Sequence, residues 1–297
     1  MTMGNNFNTL LDPALKKIFF DEFEKGLDMI PQLFNVESTD TYEEVIASIL
    51  DSGDLPEFTN SLEYEDMIKG YTKTYTPKEY AKGLQIKRSL IDDGKDRIVT
   101  AIVVNRANQV YNTRQNHAVS IFNDAFAGAI HTTPDGLSLC NAAHTSLGSV
   151  GNQSNTSTNV LSAANVEIAR TAMMGFKTGA GQPANAMGNI LLTGPANSSL
   201  ATRICNSELY QGTGNNDINS LNSIRPLIWN RLSSSTAWFL MDEMLMKKFN
   251  LWFERVPAEF SRTENFDNLV HKFSSYLRHS YGPASWEFVY GSTGTGA

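Results

Sequence analysis

The sequence predicts an α+β fold. Helical and strand-like stretches mix without the alternation of a βαβ chain. Residues 95–128 form one long helical stripe with no proline and no internal glycine, and the last third alternates short apolar runs with turns.

Taken in order, Asp12 and Pro13 suit the N-cap and first position of a helix over 13–25. Leu15, Ile18, Phe19, Glu22 and Phe23 follow at helical spacing, and Gly26 can stop it. So short a helix must dock on something larger. Residues 41–90 read as extended: TYEEVIASIL, a polar turn DSGDLPEFTNS, Tyr64–Thr76, then AKGLQIKRSL alternating through Leu84, Ile86 and Arg88. Two strands about a Gly/Pro/Asn-bearing tip make a long hairpin, too polar to stand alone.

The stripe at 95–128 (Val103, Ala107, Val110, Ala118, Ile121, Phe122, Ala125, Phe126) predicts a helix on the order of 45–50 Å long. It is the natural spine for a sheet. Residues 129–160 read as a loop, 162–177 as a helix capped by Ser162, Ile190–Thr193 as a strand and Asn197–Tyr210 as a helix. PLIWNRL, TAWFLMD, NLWFERV, FDNLVHKFSSYLR and WEFVYG read as closing strands. Trp229, Trp238, Trp252 and Trp286 sit in these stretches, where core packing is the expectation.

The net charge of −7 is unevenly spread. Residues 1–66 carry 15 acids against three lysines; residues 67–135 carry ten bases against six acids. An acidic arm ahead of a basic middle suggests that one lies across the other, within a subunit or between copies. Between Ser138 and Asn230 only seven residues are charged, a surface suited to self-contact. No basic patch interleaved with aromatics marks a nucleic-acid site, and no apolar run approaches the roughly 20 residues of a membrane span. Two cysteines, Cys140 and Cys205, make no disulfide framework.

Candidate chemistry is thin. His131, Cys140 and His144 share one loop with a Cys-x3-His spacing, but a zinc site needs a fourth ligand. Gly179-Ala180-Gly181-Gln182-Pro183-Ala184 superficially matches a dinucleotide fingerprint, yet follows a helix and contains Pro183, so it reads as a turn. No nucleophile elbow surrounds a serine, and neither cysteine sits in a catalytic motif. The expectation is a protein that is not an enzyme and has no cofactor or metal.

The stretches YTKTYTPKEYAKGLQIKRSLIDDG (71–94), FNDAFAG (122–128), DGLSLCNAAHTS (135–146), LSAANVEIARTAM (161–173) and SYGPASWEFVYGS (280–292) carry a resemblance. In their order along the chain they resemble the major capsid proteins of tailed bacteriophages, the Hong Kong 97 fold, and among these the Mu-type major head subunits. The resemblance implies an N-terminal arm (1–40), an E-loop (41–86) reaching over a neighbour, and a P-domain (87–161) with its spine helix at 95–128. An A-domain (162–255) would gather at capsomer axes, and 256–297 would return to the P-domain. It implies pentamers and hexamers of the chain closing into an icosahedral shell around double-stranded DNA in the phage head, assembled in the host bacterial cytoplasm. A portal and a decoration protein are implied partners, and a separate scaffolding protein is expected because Met1–Asp12 leads straight into the arm. The expected inter-subunit contacts are Glu43, Glu44, Glu63, Glu65, Asp66, Lys69, Lys73, Lys78, Lys87, Arg88, Arg97, Arg106 and Arg114. The alternatives are an encapsulin-type cargo compartment and a phage tail-tube protein, the latter disfavoured by the spine helix.

Overall fold

Helix α1, Gly4–Glu24, begins upstream of the predicted start, with Pro13 inside it. A proline inside a helix forfeits one hydrogen bond and crowds the carbonyl four residues back, so carrying α1 upstream of Pro13 costs about 3 kcal/mol. Leu15 and Phe19 of α1 are buried. Gly26 follows, where a Cβ would lie 2.4 Å from the Tyr111 ring; only glycine lets the chain pass there. A computed structural model of the protein describes residues 4–49, 57–58, 64, 69–93, 96–145, 148, 150–179, 181–209, 218–265 and 268–296. The hairpin tip, with Glu63, Glu65 and Asp66, lies largely outside them.

After the short helix α2, Ile30–Leu33, come strands β1, Asn35–Ser38, and β2, Glu44–Ile49, then β3, Lys69–Tyr75, and β4, Lys78–Lys87. Strands β2 and β3 pair antiparallel, Glu44 opposite Tyr75, as the predicted hairpin. Beyond Lys87 the chain does not stay extended through Arg88, as its alternation suggested: Arg88–Asp92 is a short helix, α3. The spine is α4, Asp96–Asn123, 28 residues and about 42 Å long. It stops short of the predicted Gly128. The Asp124 carboxylate turns the chain back by accepting from the backbone N–H groups of Ala129 (2.9 Å), Ile130 (2.7 Å) and His131 (2.6 Å). Gly128, at φ 62°, supplies the left-handed residue of that turn.

The remaining elements are β5, Thr156–Ser157; α5, Ala163–Met174; β6, Ile190–Thr193; α6, Ser198–Asn206; β7, Arg225–Ile228; β8, Trp238–Met241; α7, Glu243–Phe249; β9, Asn250–Asn265; β10, Val270–Pro283; and β11, Val289–Ser292. Ser162 caps α5 as predicted, its side chain accepting from Asn165 N at 3.2 Å. Helix α7 was not anticipated. Asp242 caps it through Leu245 N, with Glu243 in its first turn and Lys247 and Lys248 in its last.

Two larger sheets result. One has the order β1-β9-β10-β4, with β1 parallel to β9 and the other pairs antiparallel. Pro257 falls where the β9–β10 register shifts between Tyr276 and Arg278, an irregularity that accommodates a residue with no N–H. The other sheet runs β5-β11-β8-β6-β7. Its strands β6, β8 and β11 are buried at all four positions because both faces are covered. Ile190, Leu192, Phe239 and Met241 pack with Ile121 and Phe122 of α4 and with Trp252. Leu191, Trp238 and Leu240 pack on the other side with Val166, Ala169 and Met173 of α5 and Ala201 of α6. A third core joins Leu15 and Phe19 of α1 to Val99, Val103, Ala107 and Val110 of α4 and to Phe260, Phe273 and Leu277. The α+β expectation holds. Among the described residues no helix is long and apolar enough to cross a membrane.

Candidate functional site

Among the described residues the hairpin has little core of its own. In β2, Val45, Ala47 and Ser48 are exposed and Glu44 and Ile46 half-buried. Tyr42, Val45, Phe58 and Tyr64 are exposed, Tyr64 to 90%, so apolar side chains stand among the acids of this segment. This exposure had a sequence signal, aromatics interleaved with carboxylates, that polar composition masked.

The root of the hairpin is built into the body. Lys73 donates through Nζ to the carbonyls of Thr132 and, at 3.1 Å, Pro283. Burial lowers its pKa to about 8, partly opposed by Asp135. Tyr75 is buried against Leu251 and Phe253, with ring centroids 5.3 Å apart in the Phe253 pair. The Tyr71 hydroxyl lies 3.0 Å from Thr145 Oγ1.

The expected contact residues that the structure describes divide into two groups. Several are engaged within the subunit. Lys73 holds the root; Arg106, 7% exposed, donates to Gly83 O and Gln109 Oε1, each at 3.0 Å. Arg114 pairs with Glu254 and lies 5.7 Å from the ring centroids of both Phe23 and Trp252. Glu44 accepts from the hydroxyls of Thr39 and Thr41, and these bonds, Thr39's first, hold its carboxyl below the usual range. Glu43, Lys69, Lys78, Lys87 and Arg97 are exposed, as is Arg88, which also interacts within the subunit. Lys78 and Lys87 mark the two ends of β4.

The His/Cys loop is packed rather than open. His144 Nδ1 lies 2.7 Å from Asp135 Oδ2, both buried, and its ring stacks on Trp286 at 4.6 Å. His131 Nε2 instead meets Ser120 Oγ at 2.8 Å. Cys140 is buried, and burial raises its thiol pKa far above the ordinary value. Among the described residues no three His, Cys, Asp or Glu side chains gather as a metal site requires. The glycine stretch is a turn: Thr178 N donates to Gln182 O at 2.8 Å, and Gly181 has φ 89°.

Sequence spacing missed a ring cluster at the hairpin root. His117 of α4 and His279 of β10 are in contact, with Tyr80, Trp252 and Tyr281 around them. No local pattern could have found it, because the two histidines are 162 residues apart.

A family model described as phage capsid protein matches residues 70–292 of this chain. No curated protein sequence matches it. Among solved structures, the procapsid of bacteriophage JBD30 is similar with a TM-score of 0.55 at 13% identity, covering 98% of this chain and 76% of that one. A phage-related protein from Bordetella bronchiseptica is similar with a TM-score of 0.55 at 10% identity, covering 94% and 97%. The virus-like particle from Pyrococcus furiosus gives 0.54 at 8% identity, covering 94% and 98%. At such identities the likeness is one of fold.

Proposed function

The chain belongs to the phage capsid protein family and is a shell-building structural protein of Hong Kong 97-type fold, and from that premise we propose how it assembles. Copies join by heterologous contacts into pentamers and hexamers that close an icosahedral shell around double-stranded DNA. The β2–β3 hairpin acts as the E-loop laid over a neighbour, and α4 as the spine of the P-domain. The charge-poor region 162–255 forms the A-domain at the capsomer axis, and residues 1–40 form the arm. Stretches 71–94, 135–146 and 280–292 support a Mu-type head subunit within the family. A scaffolding protein, a portal and a decoration protein would complete the head in the host cytoplasm.

The observation that carries this reading is the hairpin: two strands with exposed Val45, Tyr42 and Tyr64 and a firmly anchored root. An isolated two-stranded ribbon is at best marginally stable, so a second surface must cover it. Charge supplies the complement. Residues 1–66 are strongly acidic, while Lys69, Lys78, Lys87 and Arg97 present basic side chains at the surface. Pairing of Glu43 and the acids Glu63, Glu65 and Asp66 with such a basic edge on the next copy would weaken as salt rises.

Electron microscopy and sedimentation of the purified full chain test this. Closed shells or rings of five and six are expected, their yield falling at high ionic strength. Helical tubes would move the protein to the tail, and a monodisperse monomer or dimer unaffected by concentration or scaffold would overturn the shell. The fold is shared with a virus-like particle from Pyrococcus furiosus, and a closed cargo compartment is the second reading. Co-purified protein cargo instead of DNA would decide for it.

A further inference from the structure

Three of the chain's five histidines meet in one seam. His117 Nδ1 lies 3.0 Å from His279 Nε2, so one ring donates and the other accepts, with a single proton between them. Tyr80 and Trp252 lie 4.5 Å from the rings of His117 and His279 respectively. Tyr281 joins His131 to the group, 5.2 Å from its ring and 5.8 Å from that of His117. Ser120 Oγ bridges His131 Nε2 at 2.8 Å and the Tyr281 hydroxyl at 3.3 Å. The hairpin is tied in at the same place, since Lys73 binds the carbonyls of Thr132, next to His131, and Pro283, two residues past Tyr281.

The charges facing the seam are mostly positive. Strand β3 contributes Lys73 and β4 contributes Lys78 beside Tyr80; α4 contributes Arg114; β9 contributes Glu254 beside Trp252; β10 contributes Tyr281. The nearby carboxylates are already committed. Glu254 engages Arg114, Asp124 binds the backbone of 129–131, and Asp135 binds His144. A second proton on the His117–His279 pair would remove its acceptor and set two imidazolium rings in contact with no counter-ion in place.

We propose that this seam is an acid-operated latch on the hairpin: protonation of the His117–His279 pair, or of His131, opens the joint between spine helix, β10 and hairpin root. The latch stands on the geometry of one subunit and does not depend on what the hairpin covers. Burial holds His279 at about 3 and His131 at about 4, the latter despite Asp124, and lowers His117 as well. The closed seam therefore stays neutral where a solvated histidine, with pKa about 6.5, takes up a proton. Below that pH the open form binds protons that the closed form does not. Closed seam is lost progressively from about pH 6.5 toward 4, and its opening constant rises about tenfold per pH unit for each histidine involved.

Hydrogen exchange with mass-spectrometric detection, on the full chain between pH 7.5 and 4 and corrected for intrinsic exchange, tests this. Residues 162–255 contain no histidine and serve as an internal control. Peptides spanning 69–87, 129–133 and 279–283 should lose protection before those of α5, β6 and β8, by tenfold or more per pH unit. His279→Gln, whose amide can reach the Nε2 position, should move the onset to lower pH. His117→Asn, which mimics Nδ1, gives the same test if the first variant does not fold. Seam and control peptides opening together, or variants opening at the wild-type pH, would overturn the latch.

Discussion

Replacing Asp124 by alanine tests the joint that ends the spine and aims His131. Asp124 is 8% exposed, and its carboxylate accepts three backbone N–H bonds within 2.9 Å. Burial pushes its pKa up, but the donors of His131, Ile130 and Ala129 outweigh that, and it stays below the usual carboxylate range. A hydrogen bond to a charged group contributes roughly 1.5–3 kcal/mol, so three would naively sum to about 5–9 kcal/mol. Ala129 and Ile130 are exposed, Ile130 to 75%, so water can take up their N–H groups once the carboxylate is gone. That argues for a net loss of about 3–4 kcal/mol in Asp124→Ala. Asp124→Asn keeps one acceptor oxygen and should lose about half as much. The sign with pH follows from the lowered pKa. The contribution is full above the unfolded value near 3.9 and is lost as pH falls through the folded value. Urea denaturation of the unassembled subunit reads the stability, and hydrogen exchange reads the amides of 129–131. A loss below about 1 kcal/mol in Asp124→Ala, with those amides still protected, would refute the assignment of this carboxylate as the brace of the turn.

Phe19 is fully buried, stacked on Phe260 at 4.7 Å and beside Phe20 at 5.3 Å. Phe19→Ala should cost about 3–5 kcal/mol and free α1 from α4. Limited proteolysis should then cut in the first 25 residues while the five-stranded sheet stays intact. Lys73→Met addresses the other anchor. Between pH 8 and 10.5 the native lysine has shed its proton and the unfolded one has not, so wild-type stability rises with pH there, by at most about 3 kcal/mol. Chemical denaturation across that range should show no such rise in Lys73→Met; an unchanged profile would place the charge elsewhere.

Local signals in the sequence reached far into the fold. The Ser162 cap, the stripe from Val103 to Phe122 and the hairpin all declare themselves within a window of a few turns. Helix α7 did not, because Trp238–Met241 runs into it without a break and a continuous apolar run carries no period. Its capping aspartate and closing lysines were the available sign. The loop after the spine was unreadable for a different reason. It is ordered by Asn155, whose side chain donates to Leu139 O (2.8 Å) and Val289 O (3.1 Å) and accepts from Asn141 N (2.8 Å). Contacts across 134 residues leave no spacing to find. The charge asymmetry was legible only in bulk. Arg106 and Arg114 turn inward to serve Gly83 and Glu254, and nothing in composition separates such arginines from Arg97, which faces solvent.

The spine unites these features because its two halves belong to different cores. Val99 to Val110 pack with α1 and the β9–β10 pair, whereas Ala118 to Ala125 pack with the five-stranded sheet. Between them the inward residues turn polar at Arg114, Gln115 and His117, and Ser120 continues this face beside the hairpin root. Opening an apolar core costs roughly 25 cal/mol for each Å² exposed, with nothing returned by water. Opening a hydrogen-bonded seam exchanges each bond for one to solvent, at about 1 kcal/mol net. A subunit that tilts its hairpin against its body does so more cheaply at the seam than through the interior of either core, uncovering chiefly Trp252 and Tyr281, the rings that the seam shares with the core under the five-stranded sheet. Three histidines at that point, with their nearest carboxylates spent elsewhere, make the cost of the tilt depend on pH, and this is why the seam rather than either core is the place to look for a change of shape.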